Sequence, residues 1–503
     1  MDLLGISIKT MYFSGMTLRL FKLLRVLLSF LWVFIYVVII SAETADAISI
    51  SKEKEIADEF METIKKQGKI INDPISSALV SGIGKTIVSN LPPQPFAYSF
   101  YIMDEEQFNA FAGPGSNIFI NRGLITSLDT VDELAGIIGH EIAHSSCRHI
   151  SDMIDQSRVM SIGTLAGVLA GVLVGASAGG GTDLGQAVAI GSMAAGQTMM
   201  LSYSREHESE ADQKGLAYIA ASNFNPMGLL TGLEKIRNRD WYGSEHVPDY
   251  LKTHPGTTER IVNIQSWLER NSAPNENAIS PVNSFRFEMV KSRLAAIYGD
   301  EYEMENRFLG ILEKNPESAP AHYGMALLME RKNRVTESLE HLRHALSQRP
   351  FDPLILLETG KVNILSGNAE KALQVVQGLE NISEIEMDVW YVKSEAQLLL
   401  GNFSVAEKGF EKVIANGSHR FPKAYYHMAL IKDKKDAGPG KSDSISETPA
   451  ISHYFLGLYY YEMKNMKNAR FHLEKSIENL DDKEKRSEAE KILGKIIKQK
   501  KEG

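Results

Sequence analysis

The stretch that decides the reading of this chain is Thr130-Val131-Asp132-Glu133-Leu134-Ala135-Gly136-Ile137-Ile138-Gly139-His140-Glu141-Ile142-Ala143-His144. Its last five residues spell H-E-x-x-H. Thr130 to Glu133 reads as a capping box that starts a helix. Leu134, Ile137, Ile138 and Ile142 follow at helical spacing, so the helix is amphipathic and mostly buried. One turn separates the two imidazoles, which therefore leave the same face. Buried histidines and a buried glutamate are costly without partners, and a zinc ion is the partner this spacing suits. His140 and His144 are its candidate ligands. Glu141 is placed to reach a water at the metal without ligating the metal, as a general base must.

Two histidines on one turn do not complete a catalytic zinc site, which needs a third protein ligand and an open position. The candidates lie in Ser204-Arg205-Glu206-His207-Glu208-Ser209-Glu210-Ala211-Asp212. Glu208 and Asp212 share a helix face. One can bind metal while the other accepts the distal N–H of a ligand histidine and fixes its tautomer. Glu206, His207 and Glu210 are rivals at this stage. Cys147 reads as a small packed thiol, not a ligand.

Outward from the site, the totals set bounds. A chain of 503 residues exceeds one core, so two or more domains are expected. A net charge of −9 argues against nucleic-acid binding. The single cysteine permits no intrachain disulfide and is compatible with an oxidising compartment. Residues 1–47 read as an export signal: Lys9, Arg19, Lys22 and Arg25, the apolar run Val26 to Ile40, then Ala45-Asp46-Ala47. The competing reading is a retained membrane anchor, for which the run is short. Either way, the rest of the chain is expected to be exported, and periplasmic.

The mature region opens with expected helices at Ser51 to Lys66 and Ile75 to Leu91, the second ended by Pro92-Pro93. Phe96 to Met103 suits a strand, Asn109 to Gly115 a turn, and Asn117 to Ile120 a second strand. That second strand is either a sheet edge able to pair with an extended peptide or an ordinary sheet strand. Residues 159–201 are apolar, with glycines at 163, 167, 171 and 175. They read as two small-residue helices around Gly179-Gly180-Gly181, or as a hairpin in peripheral contact with a membrane.

From about residue 290 small residues recur every 34 positions: Ala326, Gly360 and Ser394 in one helix of a pair, Ser338, Ala372 and Ala406 in the other. Pro316 and Pro350 share the spacing. Gly457 and Ala469 mark a later unit between Tyr454 and Glu478, after a polar interruption from Lys432 to Thr448. This period resembles tetratricopeptide repeats, whose stacked helix pairs offer a concave face to extended partners.

The pair of motifs, His140-Glu-Ile-Ala-His144 and Glu208-Ser-Glu-Ala-Asp212, resembles the HtpX-like and CAAX-prenyl-protease-like class of zinc metallopeptidases. Asn109-Ala110-Phe111-Ala112, Ile118-Phe119, Gly123-Leu124, Arg148-His149 and Thr253-His254-Pro255 with Arg260 are similar pieces in the same order. The resemblance covers about residues 50–270. It implies a gluzincin-type metallopeptidase domain, one zinc held by His140, His144 and Glu208, Glu141 as base, and Asp212 behind a ligand histidine. It also implies that His254 can occupy the open metal position and gate the site, with Arg260 as an oxyanion or carbonyl partner or merely a packing residue. The expected fold class is mainly α: a metallopeptidase domain with a small β-sheet at 48–275, a linker at 276–290, and an α-solenoid at 291–503.

Exported members with a repeat tail imply proteolysis of misfolded or stalled envelope proteins in outer-membrane protein quality control. The implied partners are unfolded outer-membrane β-barrels and their insertion machinery. The competing readings are a chaperone or scaffold with a largely latent zinc site, and a membrane-bound prenyl-peptide processor. A single apolar N-terminal run argues against the latter.

Overall fold

Thr130 sets the motif helix in place. Its hydroxyl accepts from the Glu133 N–H at 3.1 Å while the Glu133 carboxylate takes the Asp129 and Thr130 N–H groups, a closed capping box. Side-chain caps also start several other helices of this computed structural model, which describes residues 48–156, 203–241, 249–271, 280–437 and 449–502. In chain order the peptidase part has α1 (Ile50–Gln67), α2 (Pro74–Val88), β1 (Ser99–Met103), β2 (Ala110–Gly113), β3 (Asn117–Asn121), α3 (Arg122–Ser127), α4 (Val131–Ser146), α5 (His149–Gln156), α6 (Arg205–Ala221), α7 (Met227–Trp241), α8 (Asp249–Thr253) and α9 (Thr257–Asn271). Then come α10 (Ser284–Tyr298), α11 (Glu301–Lys314), α12 (Ala319–Arg331), α13 (Val335–Gln348), α14 (Pro353–Leu365), α15 (Ala369–Val375), α16 (Glu386–Leu399), α17 (Phe403–Gly417), α18 (Pro422–Ala437), α19 (Ala450–Glu462), α20 (Met466–Asn479) and α21 (Lys483–Glu502). The fold is mostly helical, with one small mixed sheet followed by paired helices.

The chain divides into two units. Residues 1–63 and 148–201 form the first and residues 64–147 and 202–503 the second. In the first, the Arg148 guanidinium donates to Ile48 O and Glu53, each at 2.8 Å, and Ser151 donates to the same carboxylate at 2.8 Å. The export leader and the glycine-rich stretch at 159–201 lie outside the described residues. Among the described residues no helix is long and apolar enough to cross a membrane.

In the second unit the sheet decides one open reading and departs from the sequence reading in two ways. Its order is β1-β3-β2, with β3 parallel to β1 and antiparallel to β2. The strand at Asn117–Asn121 is therefore central and cannot take up a peptide edgewise. The stretch read as a turn at Asn109 to Gly115 is mostly strand β2, and the turn proper is only Pro114–Ser116. Backbone pairing across the sheet outweighed the local turn signal, and Phe111 stacks on Phe119 at 4.9 Å. The first strand begins at Ser99, not Phe96. Helix α2 also stops at Val88, capped by Ser89, before the two prolines act.

Half of the stretch read as a linker is helical, because Asn283 caps α10 through the Phe285 N–H at 2.8 Å. Arg293 on α10 is buried. It holds Asp73, the cap of α2, at 3.0–3.1 Å, and also Tyr323 and Glu358 on repeat helices, each at 3.0 Å. One apolar core runs from Ile71 to Ala396, and a second begins at Ala406.

The 34-residue pattern marks helix crossings. Ser338 donates to Ala326 O at 2.8 Å, and a Cβ on Gly360 would come within 2.4 Å of Val376. Gly457 faces Leu473 in the same way. The array is tetratricopeptide-like.

Two crossings also carry histidine pairs. His322 Nε2 faces Pro316 O at 2.9 Å and so carries a hydrogen, which leaves its Nδ1 to accept from His341 Nδ1 at 2.9 Å. His453 and His472 repeat the contact at 2.8 Å. His344 stacks on His322; Glu337 and Glu340 act on His341; Lys475 and Glu478 act on His453. Burial comes first in lowering all four pKa values from 6.5, helped by the neighbouring imidazole or by Lys475. The unfolded chain thus binds protons more readily. Stability is fully present above pH 6.5 and falls as pH drops through that value toward the folded-state pKa values. Urea midpoints measured from pH 8 to 5 are expected to decline, and the decline to flatten in a His341→Asn, His472→Asn variant.

Candidate metal centre

Three helices and one loop bring the site together. Helices α4 and α6 meet at two glycines. A Cβ on Gly139 would lie 2.6 Å from the Ile219 side chain, and one on Gly215 would lie 3.2 Å from Gly139 O and His140 Cα. The close approach sets Glu208 and Asp212 against the histidines of α4. The loop after α8 delivers His254, and α9 delivers Arg260. All seven residues are buried: His140, Glu141, His144, Glu208, Asp212, His254 and Arg260.

Ligand atoms of His140, His144, Glu208 and His254 all lie within 4.8 Å of one another, an arrangement that can hold a metal ion. The two Nε2 atoms of His140 and His144 stand 2.9 Å apart. Glu208 Oε1 is 3.4 Å from His144 Nε2, and its Oε2 is 3.5 Å from His140 Nε2. His254 Nδ1 is 2.9 Å from Glu208 Oε1.

His140 Nδ1 meets Asp212 Oδ1 at 2.9 Å. The ionised carboxylate can only accept, so Nδ1 carries the hydrogen and Nε2 turns a lone pair inward in the neutral ring. Arg260 clamps Asp212 through Nε and Nη2, each at 2.8 Å, and reaches Glu208 through Nη1 at 2.6 Å.

Burial and Arg260 disfavour the His140 imidazolium, but Asp212 and Glu208 outweigh them and raise it to about 9. Burial and His140 push His144 well below its usual value, so that ring stays neutral. Burial opposes ionisation of Glu208, yet Arg260, His254 and His144 hold it well below the carboxylate range. Glu141 goes the other way. Burial raises it, with His254 and His140 opposing.

These groups fit a divalent cation. Neither Glu141 oxygen has a hydrogen-bond partner among the described residues. Nitrogen lone pairs and a carboxylate on rigid helices are the donor set of zinc.

The rivals to Glu208 drop out of the cluster. Glu206 and Glu210 are exposed, and Glu210 pairs with Lys214 at 2.8 Å. Cys147 is a half-buried cap at the end of α4. Two aromatic neighbours escaped the sequence reading. Tyr203 stacks on His144 at 3.7 Å, and Tyr250 stacks on His254 at 4.3 Å. Tyr250 precedes His254 by one turn, a spacing that could have pointed to it; Tyr203 had no comparable signal.

Asp212→Asn tests the clamp. It is expected to weaken metal binding by about 10–100-fold, measured by competition with a chromogenic chelator, because it unsettles both His140 and Arg260.

Residues 82–268 match the model of Peptidase family M48, so the chain carries a zinc-peptidase domain of that family, joined to a helical repeat region. Among curated proteins it is similar to the beta-barrel assembly-enhancing protease of Yersinia pestis. That match is 26% identical and covers 62% of this chain and 63% of that protein. The beta-barrel assembly-enhancing protease of Escherichia coli K12 is 24% identical, over 67% of this chain and 68% of that one. The mitochondrial metalloendopeptidase OMA1 of Schizosaccharomyces pombe is 24% identical, over 48% of this chain and 69% of its own length. The chain thus spans a little under two thirds of the Yersinia relative.

Proposed function

We propose that this protein is an exported zinc-dependent endopeptidase that hydrolyses peptide bonds of misfolded or stalled envelope proteins, with the repeat array recruiting substrate or assembly machinery. The buried cluster of His140, His144 and Glu208 beside an uncommitted Glu141 carries the reading. The names of the two bacterial relatives support outer-membrane β-barrel proteins as the substrate class.

A zinc ion held by those three residues would supply a Lewis acid for the scissile carbonyl and a lowered pKa for water. Glu141 takes the proton of the attacking water and returns it to the leaving amine. Asp212 fixes the His140 tautomer, and Arg260 holds both Asp212 and Glu208 in place. With β3 enclosed, β2 is the strand at the sheet margin that packs on α4, and it takes over the role of aligning the substrate backbone.

A chaperone with a largely latent centre is the second reading. His254 favours it, since its ring reaches Glu208 at 2.9 Å and Glu141 at 3.6 Å and supplies the cluster's fourth donor. His254 then acts as a gate, and His254→Ala is expected to raise cleavage several-fold. Unchanged cleavage at every pH would remove the gate.

The deciding experiment follows purified protein with an unfolded β-barrel substrate. Cleavage lost to a chelator and restored by zinc supports the peptidase. Bound zinc without cleavage, in wild type and in His254→Ala alike, supports the chaperone.

A further inference from the structure

Hydrolysis at this centre needs a hydrogen-bond donor for the carbonyl oxygen as it gains charge. Arg260 is the obvious cation: its Nε and Nη2 donate to Asp212, while its Nη1 is paired by charge with Glu208 and has no hydrogen-bond partner among the described residues. Tyr250 is fully buried, and its ring lies nearly parallel to that of His254 at 4.3 Å, 17° between planes. Its backbone is fixed on both sides: the N–H donates to Phe108 O at 3.3 Å, and the carbonyl accepts from the His254 N–H at 2.8 Å. Its hydroxyl has no hydrogen-bond partner among the described residues. A buried O–H left unmade is expensive, and in a native site it calls for a reason.

The surroundings point to one. Arg260, Glu141, Glu208 and Asp212 are the charged groups that act on the phenol. Tyr250 also packs against His254, the fourth donor of the cluster.

We infer that the Tyr250 hydroxyl is a catalytic donor to the substrate's carbonyl oxygen, a role that rests on the peptidase reading above. As water adds, the new C–O bond forms and the carbonyl π pair moves onto oxygen. That oxygen accepts a hydrogen bond from Tyr250, and no proton leaves the tyrosine. The water proton goes to Glu141 and then to the amine nitrogen as the C–N bond breaks.

The test compares full-length wild type and Tyr250→Phe, both zinc-loaded. Phenylalanine keeps the ring stacked on His254 and removes only the oxygen. Binding of a phosphinic peptide, whose tetrahedral phosphorus carries two oxygens at the attacked carbon's place, is measured by calorimetry beside the corresponding product peptide. Tyr250→Phe is expected to lose about 100-fold in phosphinic-peptide affinity and about 10²–10³-fold in kcat, while KM and product affinity change by less than about threefold. Zinc content is expected to be unchanged, and the thermal midpoint no lower. Phosphinic affinity and kcat within about threefold of wild type overturn the role of Tyr250 alone. If wild type itself fails to bind the phosphinic peptide in a zinc-dependent way, the peptidase reading falls and this inference with it.

Discussion

Glu141→Gln is expected to abolish proteolysis, lowering kcat by about 10³-fold or more, and to leave the metal bound. The two side chains have nearly the same shape. Neither carboxylate oxygen of Glu141 has a hydrogen-bond partner among the described residues, so the amide forfeits no bond of this kind. It forfeits only basicity. Burial already pushes the Glu141 carboxyl up, which means that the charged form is held against a desolvation penalty. A neutral amide escapes it, so the inactive variant is expected to melt no lower than wild type. Single-turnover cleavage, metal analysis and a thermal midpoint check the three parts. Activity above about a tenth of wild type would place the base elsewhere.

Arg293→Met is expected to cost about 3 kcal/mol of stability. The guanidinium sits among Asp73, Tyr323 and Glu358, and methionine leaves two buried carboxylates without it. The cost is at the lower end for a broken buried pair because both acids keep a second partner. Ser76 N–H still donates to Asp73 at 3.0 Å, and Lys361 still donates to Glu358 at 3.0 Å. Urea unfolding of the full chain measures the loss, and adding Asp73→Asn is expected to recover part of it. A loss below about 1 kcal/mol would show that solvent reaches the cluster freely.

The parts legible in the sequence are those written in local spacing. The capping box at Thr130, the turn from His140 to His144, and the turn from Glu208 to Asp212 each need only a few neighbouring residues. The repeats were legible because Ala326, Gly360 and Ser394 return at a fixed interval. The sheet was not. Ala110 to Gly113 is too short to show alternation and runs into Gly-Pro-Gly, so only its pairing with β3 reveals a strand. The same holds for Arg293 and Asp73, which meet across 220 residues. The commitment of Arg260 to two acids, and the unmet hydroxyl of Tyr250, are likewise visible only once α6, α8 and α9 surround one point.

The glycines at the crossing of α4 and α6 have a consequence for how this centre can fail. Gly215 meets the main chain of Gly139 and His140 directly, and only the Ile219 side chain lies against Gly139. The spacing of His140 from Glu208 and Asp212 is set where one main chain meets the other, and it inherits the stiffness of backbone rather than the give of an apolar interior. Substitutions in the neighbouring core should therefore lower the melting point without gradually loosening the grip on the metal. Affinity should hold nearly constant across such a series and then vanish together with the fold. An alanine at either glycine should do the reverse, detuning the grip in a chain that still folds.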